Sequence, residues 1–548
     1  MTRFYRSLVI ALFLCILSGI GRAQVATTSV HGVVHDPSGA VIPGAKVTLT
    51  DTVDHKVLTA TTDGQGGYNF AQLTPATYTI QVDAPGFTVQ TKEAELLVNQ
   101  PATINFTMSL KGSTQVVNVS AEAQTLNTTD ASLGGAMNNA TIQALPSETR
   151  NVPDLLSLQP GVLYLPQQTL TPGDSRSGAV NGVRSDQSDV TIDGIDDNDQ
   201  ENNYAFTGIL RETQDSIEEF RVTTADADAD AGYSAGAQVA MITKSGTNHF
   251  HGAAYEYYRP PLTAANDWFN KQAELASGEP NIPAKVLRNI FGVDLGGPLM
   301  KNKLFFFANY EGLRKAEDTE VTQTVPTAAY RQGYLTYIGD TPSGGTQQVV
   351  LSPAQVAELD SGCQVCNTAA YPYGPGPDPI ALQYFNSMPL PNGSLTGDGV
   401  NEGSYTFASP NPVSNNTSIV RLDWTPTAKH HLFVRGGLQK DVTDATEQFP
   451  GQGPSLVTED NSKGIIAGDT WIITPNLVND LRYGYIRQGY SNRGVGSGDY
   501  VDFRFLSTTT AETRTTIVSV PVHNIVDNLN WNKGNHDFQF GVNYRFIT

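Results

Sequence analysis

Cysteine is nearly absent, with three in 548 residues, and one of these, Cys15, lies in an N-terminal apolar run. A disulfide-stapled scaffold and a four-cysteine zinc site are therefore both excluded. Past residue 23 no apolar run reaches the roughly 18 residues a helical membrane span needs, so helical spanning is excluded while spanning by alternating strands is not. Charge is scarce at 16% of residues and unbalanced, 34 basic against 54 acidic for a net of -20, which argues against nucleic acid as a partner. Glycine, by contrast, is plentiful at 51, with 22 tyrosines, a profile of strands and turns.

The N-terminus reads as an export signal over residues 1–23. Thr2 to Arg6 is basic, Leu8 to Leu17 is apolar, and Gly21 and Ala23 put small residues before a cut at Gln24. Phe13 and Leu14 are too bulky for a lipoprotein site, so Cys15 is read as one more apolar residue of the signal. Losing Arg3, Arg6 and Arg22 makes the mature chain more acidic still.

Residues 28–111 predict a β-sandwich. Short alternating runs such as Val47 to Thr50 and Tyr78 to Val82 are separated by turn signals at Pro37-Ser38-Gly39 and Asp63-Gly64. Asp36, Pro43-Gly44-Ala45, Gly67-Tyr68, Phe70, Leu73 and Ala84-Pro85-Gly86-Phe87 together resemble the carboxypeptidase regulatory-like domain, a prealbumin-like sandwich, with Ala76 departing where that pattern has glycine. No catalytic residue comes with the resemblance. His31, His35 and His55 lack ligand spacing and are read as solvated, leaving a spacer or docking role.

Residues 115–122 are extended and alternating. Val116, Val117, Asn118, Val119, Ser120 and Ala121 resemble the TonB box of outer-membrane transporters, which would pair by strand addition with a periplasmic energy-transducing protein; the same residues read equally as the first strand of the next domain. Over 116–246, Ile142 to Pro146, Val152 to Val162, Asn181-Gly182-Val183-Arg184, Val190 to Asn198 with Asp193-Gly194, Ile217 to Val222 and Lys244-Ser245-Gly246 follow one another as in a plug domain. With residues 226–252 leading into amphipathic strands, the chain resembles the TonB-dependent transporters of the Oar-like group. That resemblance implies an α+β plug, a TonB-type partner, and no cofactor.

Metal readings fail or stay weak. Asp226, Asp228 and Asp230 begin like an EF-hand loop, but Ala231 and Ala237 occupy the positions that need Gly and Glu. Asp193, Asp196, Asp197 and Asp199 are read as a solvated acidic turn, with Ca²⁺ as the alternative. No nucleophile elbow or phosphate loop is present, so no enzyme is inferred.

Residues 250–548 predict the first part of an antiparallel transmembrane β-barrel in outer-membrane lipid. Val420, Leu422 and Trp424 alternate with Arg421 and Asp423, and Phe538 to Phe546 alternate with Gln539 to Arg545, giving one lipid face and one lumen face. Tight turns at 300–303, 426–429, 474–477 and 532–535 alternate with long excursions, the largest from about 313 to 417. That excursion carries Cys363 and Cys366, read as a local disulfide in an oxidising exterior. The strands number nine, an odd count that predicts the N-terminal part of a larger barrel. The mainly β chain is thus expected to take up an unidentified solute, or alternatively to serve adhesion or export by binding an extracellular macromolecule.

Overall fold

A computed structural model describes residues 27–548 apart from 54, 99, 112–131, 146, 148–149, 151, 165–177, 185–186, 202–207, 228–234, 264, 267, 269–270, 272–274, 276–279, 282, 284, 475, 495–500, 512–513 and 534–535. The expected export signal, the segment Val116 to Ala121, and Asp228 and Asp230 lie outside the described residues.

Six strands make the N-terminal sandwich: β1 (Thr28–His35), β2 (Lys46–Asp51), β3 (Val57–Thr61), β4 (Gly67–Leu73), β5 (Ala76–Asp83) and β6 (Gln90–Leu96). One sheet runs β3-β2-β5-β6; the other joins β4 and β1 to short strands at Ala102–Thr103 and Phe106–Thr107. Period-2 alternation sends Val30, Val47, Leu49, Phe70, Ile80, Val82 and Phe106 into a common core. Asp36 shapes the first turn by accepting from the backbone N–H of Ser38 and Ala40. Ala76 opens β5 opposite Leu96, so the departure from glycine leaves that pairing in place.

The next unit is a five-stranded sheet built from β7 (Leu133–Asn138), β8 (Asp189–Ile192), β9 (Ile195–Asp196), β10 (Ile217–Ala225) and β11 (Gln238–Thr243), in the order β7-β10-β11-β8-β9. The helical spacing over residues 152–158 resolves as a 3-10 helix, Val152–Leu158, followed by a turn at Gly161, whose φ is 78°. Val152 and Leu156 of that helix pack with Ile192, Phe220 and Val222 of the sheet.

Nine long strands follow: β12 (His251–Arg259), β13 (Val286–Met300), β14 (Leu304–Pro326), β15 (Val413–Thr427), β16 (His430–Asp444), β17 (Lys463–Thr474), β18 (Leu477–Gly494), β19 (Thr516–Lys533) and β20 (His536–Ile547). Each pairs antiparallel with the next, and all four expected tight turns join consecutive strands. Among the described residues β12 pairs only with β13, and β20 only with β19. Side chains alternate as the sequence predicts: Val420 is 49% exposed and Arg421 6%. Trp424, Trp471 and Trp531 are exposed beside the tight turns, as an interfacial girdle requires.

The large excursion is more ordered than a loop. β14 runs on to Pro326 and pairs through Asp318–Pro326 with a strand at Glu402–Pro410, and a hairpin (Leu335–Asp340, Thr346–Leu351) and helices at Pro353–Leu359 and Pro379–Ser387 fill the rest. Alternation is lost there because Arg314, Lys315, Glu317, Asp318 and Glu320 put charge on both faces of a strand that has left the lipid band. Within the excursion Cys363 and Cys366 are disulfide-bonded. Asp360 lies beside these sulfurs, but the bond leaves no thiolate to bind a metal.

Candidate functional site at the plug and barrel interface

The tip of the β8–β9 hairpin is the centre of the site. Ile192 pairs with Ile195 across a two-residue turn in which Asp193 has φ 47° and Gly194 φ 77°. Both central residues need positive φ in such a turn, which is why Asp-Gly stands here. The turn carries Asp193 to the inner wall of the barrel sheet. Its carboxylate accepts from the N–H of Thr243 at 3.0 Å, from the Thr243 hydroxyl at 2.7 Å and from Arg421 Nη1 at 3.0 Å. Its carbonyl accepts from Arg482 Nη1 at 2.7 Å, so arginines of two barrel strands, β15 and β18, grip one residue.

The neighbouring carboxylates follow the same rule. Asp196 pairs with Arg545 of β20, while its N–H donates to Asn524 of β19. Asp197 is fully buried and accepts from the N–H of Leu210, and Asp199 accepts from the N–H of Glu201. The reading of these four as a solvated acidic turn is therefore corrected: all are buried, two of them facing barrel arginines. The sequence showed the acids but not the cations, which arrive from strands more than two hundred residues away. Burial holds the Asp197 carboxyl well above the usual carboxylate range, against the pull of the Leu210 N–H.

A second contact region, residues 209–216, went unnoticed in the sequence. Glu212 forms an ion pair with Arg435 of β16, both side chains being essentially without solvent contact. Burial pushes the Glu212 carboxyl up to about 7, although Arg435 pulls it down. Arg211 reaches Asp441 at 2.6 Å, Thr213 donates to Asn309 at 2.9 Å, and Asp215 holds Arg150, which lies 4.2 Å from the Tyr257 ring centre. Available signals were the charged run Arg211, Glu212 and Asp215 in the plug, and Arg435 alternating with Val434 on a barrel strand.

Between these polar grips two knobs enter glycine gaps. A β-carbon at Gly484 would overlap Cγ2 of Ile195, and one at Gly464 would lie 2.7 Å from Cδ1 of Leu210. Gly484→Ala is expected to weaken seating of the hairpin by about 1–3 kcal/mol through overpacking. Seen as a lower temperature of heat-induced band shift, the loss should be recovered by adding Ile195→Ala; no recovery would place the strain elsewhere.

The sequence-nominated plug residues divide into two groups. Lys244, Ser245 and Gly246 leave β11 beside Asp193, and with Arg421 and Arg482 they line a cleft of about 340 Å³ that also reaches Asp51 and Lys56 of the sandwich. Asn181 and Gly182 instead form a turn whose Asn181 amide donates to Thr224 O at 3.0 Å, at the opposite end of β10 from the Asp193 tip, and Arg184 is exposed beside it. They do not join the site.

The sandwich docks below. Asn69 donates to Asn532 at the tight-turn rim, and Arg221 to Gln100 at 3.2 Å. The Val98 N–H donates to both Glu219 carboxylate oxygens, at 2.7 and 2.9 Å. Burial, joined by repulsion from Glu95 and Glu218 and opposed by the Val98 N–H and Arg221, pushes the Glu219 carboxyl up from 4.5 to about 8. An acid raised on docking contributes fully below its undocked value and loses that contribution as pH rises through the docked one. Protection of the Val98 amide from hydrogen exchange, corrected for intrinsic rate, should therefore fall progressively between about pH 4.5 and 8 and level off above that, and Glu219→Gln should flatten the profile. A flat profile in the unsubstituted protein would contradict this.

Comparison with known proteins assigns two stretches of the chain. Residues 29–109 match the carboxypeptidase regulatory-like domain, and residues 242–548 match the outer membrane beta barrel domain. The TonB-dependent transporter Oar of Myxococcus xanthus is 24% identical over 282 residues, 49% of this chain and 25% of the relative. The outer membrane transporter YddB from Escherichia coli superposes with a TM-score of 0.47 at 13% identity, covering 76% of this chain and 48% of that one. For the siderophore receptor PirA from Acinetobacter baumannii the TM-score is 0.43 at 13% identity, covering 76% and 47%. The chain spans a quarter of the curated relative and about half of these solved structures. With more than half its length matched, the chain belongs to the outer membrane beta barrel domain family, and the outer membrane is its location.

Proposed function

We propose that this protein carries a large or scarce solute across the outer membrane, with the plug displaced by a pull from a periplasmic TonB-type partner on residues 116–121, and that it is no enzyme. The supporting observation is the way the plug is held: its hairpin tip and residues 209–216 meet arginines of β15, β16, β18 and β20 through polar contacts. Water entering the lumen can replace such contacts one by one, so the plug is displaceable without exposing a wide apolar interface. Strand addition suits the pull, because main-chain pairing resists shear while asking little of side chains.

A second reading draws on the outer loops. Val325, Phe385 and Met388 of the large excursion share a core with Phe449 and Leu506 from two other loops, a preformed surface suited to adhesion or export of a macromolecule. Deleting residues 116–121 from the natural protein separates the two. Transport predicts that uptake of solutes found in a ligand screen stops and that the periplasmic partner no longer co-purifies, with outer-membrane assembly intact. Unchanged uptake would overturn the coupling, and adhesion surviving the deletion would favour the second reading.

A further inference from the structure

The large excursion leaves a strand edge that neither the barrel nor the plug uses. Its hairpin, Leu335–Asp340 with Thr346–Leu351, is a two-stranded sheet, a size that is marginal in water by itself. The Thr341 N–H donates to Gly345 O at 2.6 Å, so the hydrogen-bonded pairs below the turn are Gly339 with Gln347, Tyr337 with Val349 and Leu335 with Leu351. The backbone groups of the intervening residues therefore point outward, Thr336 and Ile338 on one side, Thr346, Gln348 and Val350 on the other.

The two edges are treated differently. On the first strand the Asn401 side chain covers Thr336, accepting from its N–H at 2.9 Å and donating to its carbonyl at 2.7 Å. On the second, no group among the described residues bonds to the N–H or C=O of Thr346, Gln348 or Val350, and all three residues are exposed. Thr346-Gln347-Gln348-Val349-Val350-Leu351 has none of the charges, prolines or bulges that ordinarily blunt an edge. Val350 is 55% exposed and Ile338 59%, on one face of the hairpin. Around this edge residues 316–417 hold nine carboxylates and one cation, Arg331, whose guanidinium is turned onto the carbonyls of Pro326 and Pro389.

We propose that the strand Thr346–Leu351 is a docking edge for an extended, basic segment of an extracellular protein, which adds to the hairpin as a third, antiparallel strand. Main-chain bonds to Thr346, Gln348 and Val350 supply the affinity, apolar side chains of the added strand continue the face of Ile338 and Val350, and the surrounding carboxylates supply the preference for cations. Asp340 lies opposite Thr346, so a Lys or Arg at that level of the added strand stands roughly 10 Å from it, two strand spacings away. A second copy of this chain is disfavoured as the occupant because it brings the same nine carboxylates. The proposal deepens the adhesion or export reading of the outer loops and rests on it.

The test uses the natural protein in mild detergent and the fluorescence anisotropy of two labelled peptides, Lys-Thr-Val-Thr-Val-Thr-Lys and its counterpart with Glu at both ends. The basic peptide should bind about tenfold more tightly, a difference that Asp340→Asn reduces. Methylating the backbone nitrogens of one alternate set of peptide residues should abolish binding, while methylating the other set leaves it unchanged, because only one set faces the edge. Gln348→Pro removes an outward N–H at a position where an edge strand tolerates proline, and should abolish binding with the heat-modifiable band intact. Binding indifferent to Gln348→Pro, or tolerant of both methylation sets, would overturn the proposal. So would a concentration-dependent dimer lost in Gln348→Pro, which would make a second copy the occupant. Protection of the hairpin from protease added to whole cells would instead overturn its placement outside the cell, and with it the adhesion or export reading, while the peptide result in detergent judges the strand edge alone.

Discussion

Glu212→Ala in the natural protein should cost about 3–5 kcal/mol, the largest single-residue effect in the plug, because it leaves Arg435 charged and buried with no counter-ion. Arg435 has no solvent contact, and its Nε and Nη1 find no acceptor among the described residues, so Glu212 is its principal partner. Guanidinium cannot shed its proton to escape. The heat-induced band shift should move down by many degrees, and the lumen should leak, measured as sensitivity to a large antibiotic that intact outer membranes exclude. Arg435→Met with Glu212→Leu should restore most of the stability, since a well-packed apolar pair often replaces a buried ion pair at little cost. An alanine variant as stable as the parent would mean that the pair contributes nothing to plug seating.

Residues 24–548 by themselves are expected not to form a closed, inserted barrel. Eight antiparallel steps from β12 to β20 leave both edge strands pointing the same way. Direct closure of β12 on β20 would therefore be parallel, against the pattern of every other pair in the wall. Left open, each edge presents backbone groups to hydrocarbon at several kcal/mol apiece. Refolded into detergent, this polypeptide should aggregate and be digested by protease. A monomeric, protease-resistant, heat-modifiable product would show that the nine strands suffice.

What the sequence revealed and what it hid follow from the range of the interactions involved. Strand identity and facing are local: Val420-Arg421-Leu422 announces its two faces in three residues, and Asp193-Gly194 announces a turn in two. Tight-turn positions were legible for the same reason. The partners of Asp193 and Glu212 were not, because Arg421 and Arg435 meet them only after the sheet curls around the plug, and no local period records that. The same gap produced the one clear misreading, in which four acids without visible cations were taken for a solvated turn. Strand length beyond the lipid band was hidden for another reason, since past Arg314 both faces of β14 meet water and alternation loses its cause.

The central claim is that the β8–β9 hairpin is seated in the barrel wall, and one cross-link reports on it directly. A β-carbon at position 484 would stand 3.2 Å from Cβ of Ile195, a little shorter than the roughly 3.5–4.5 Å that a disulfide spans, a misfit small enough for relaxation to absorb. The natural protein carrying Ile195→Cys and Gly484→Cys, isolated from the outer membrane under mild oxidant, should resist thiol alkylation at both positions until reduced. Two freely alkylated thiols in correctly localised protein would contradict the account.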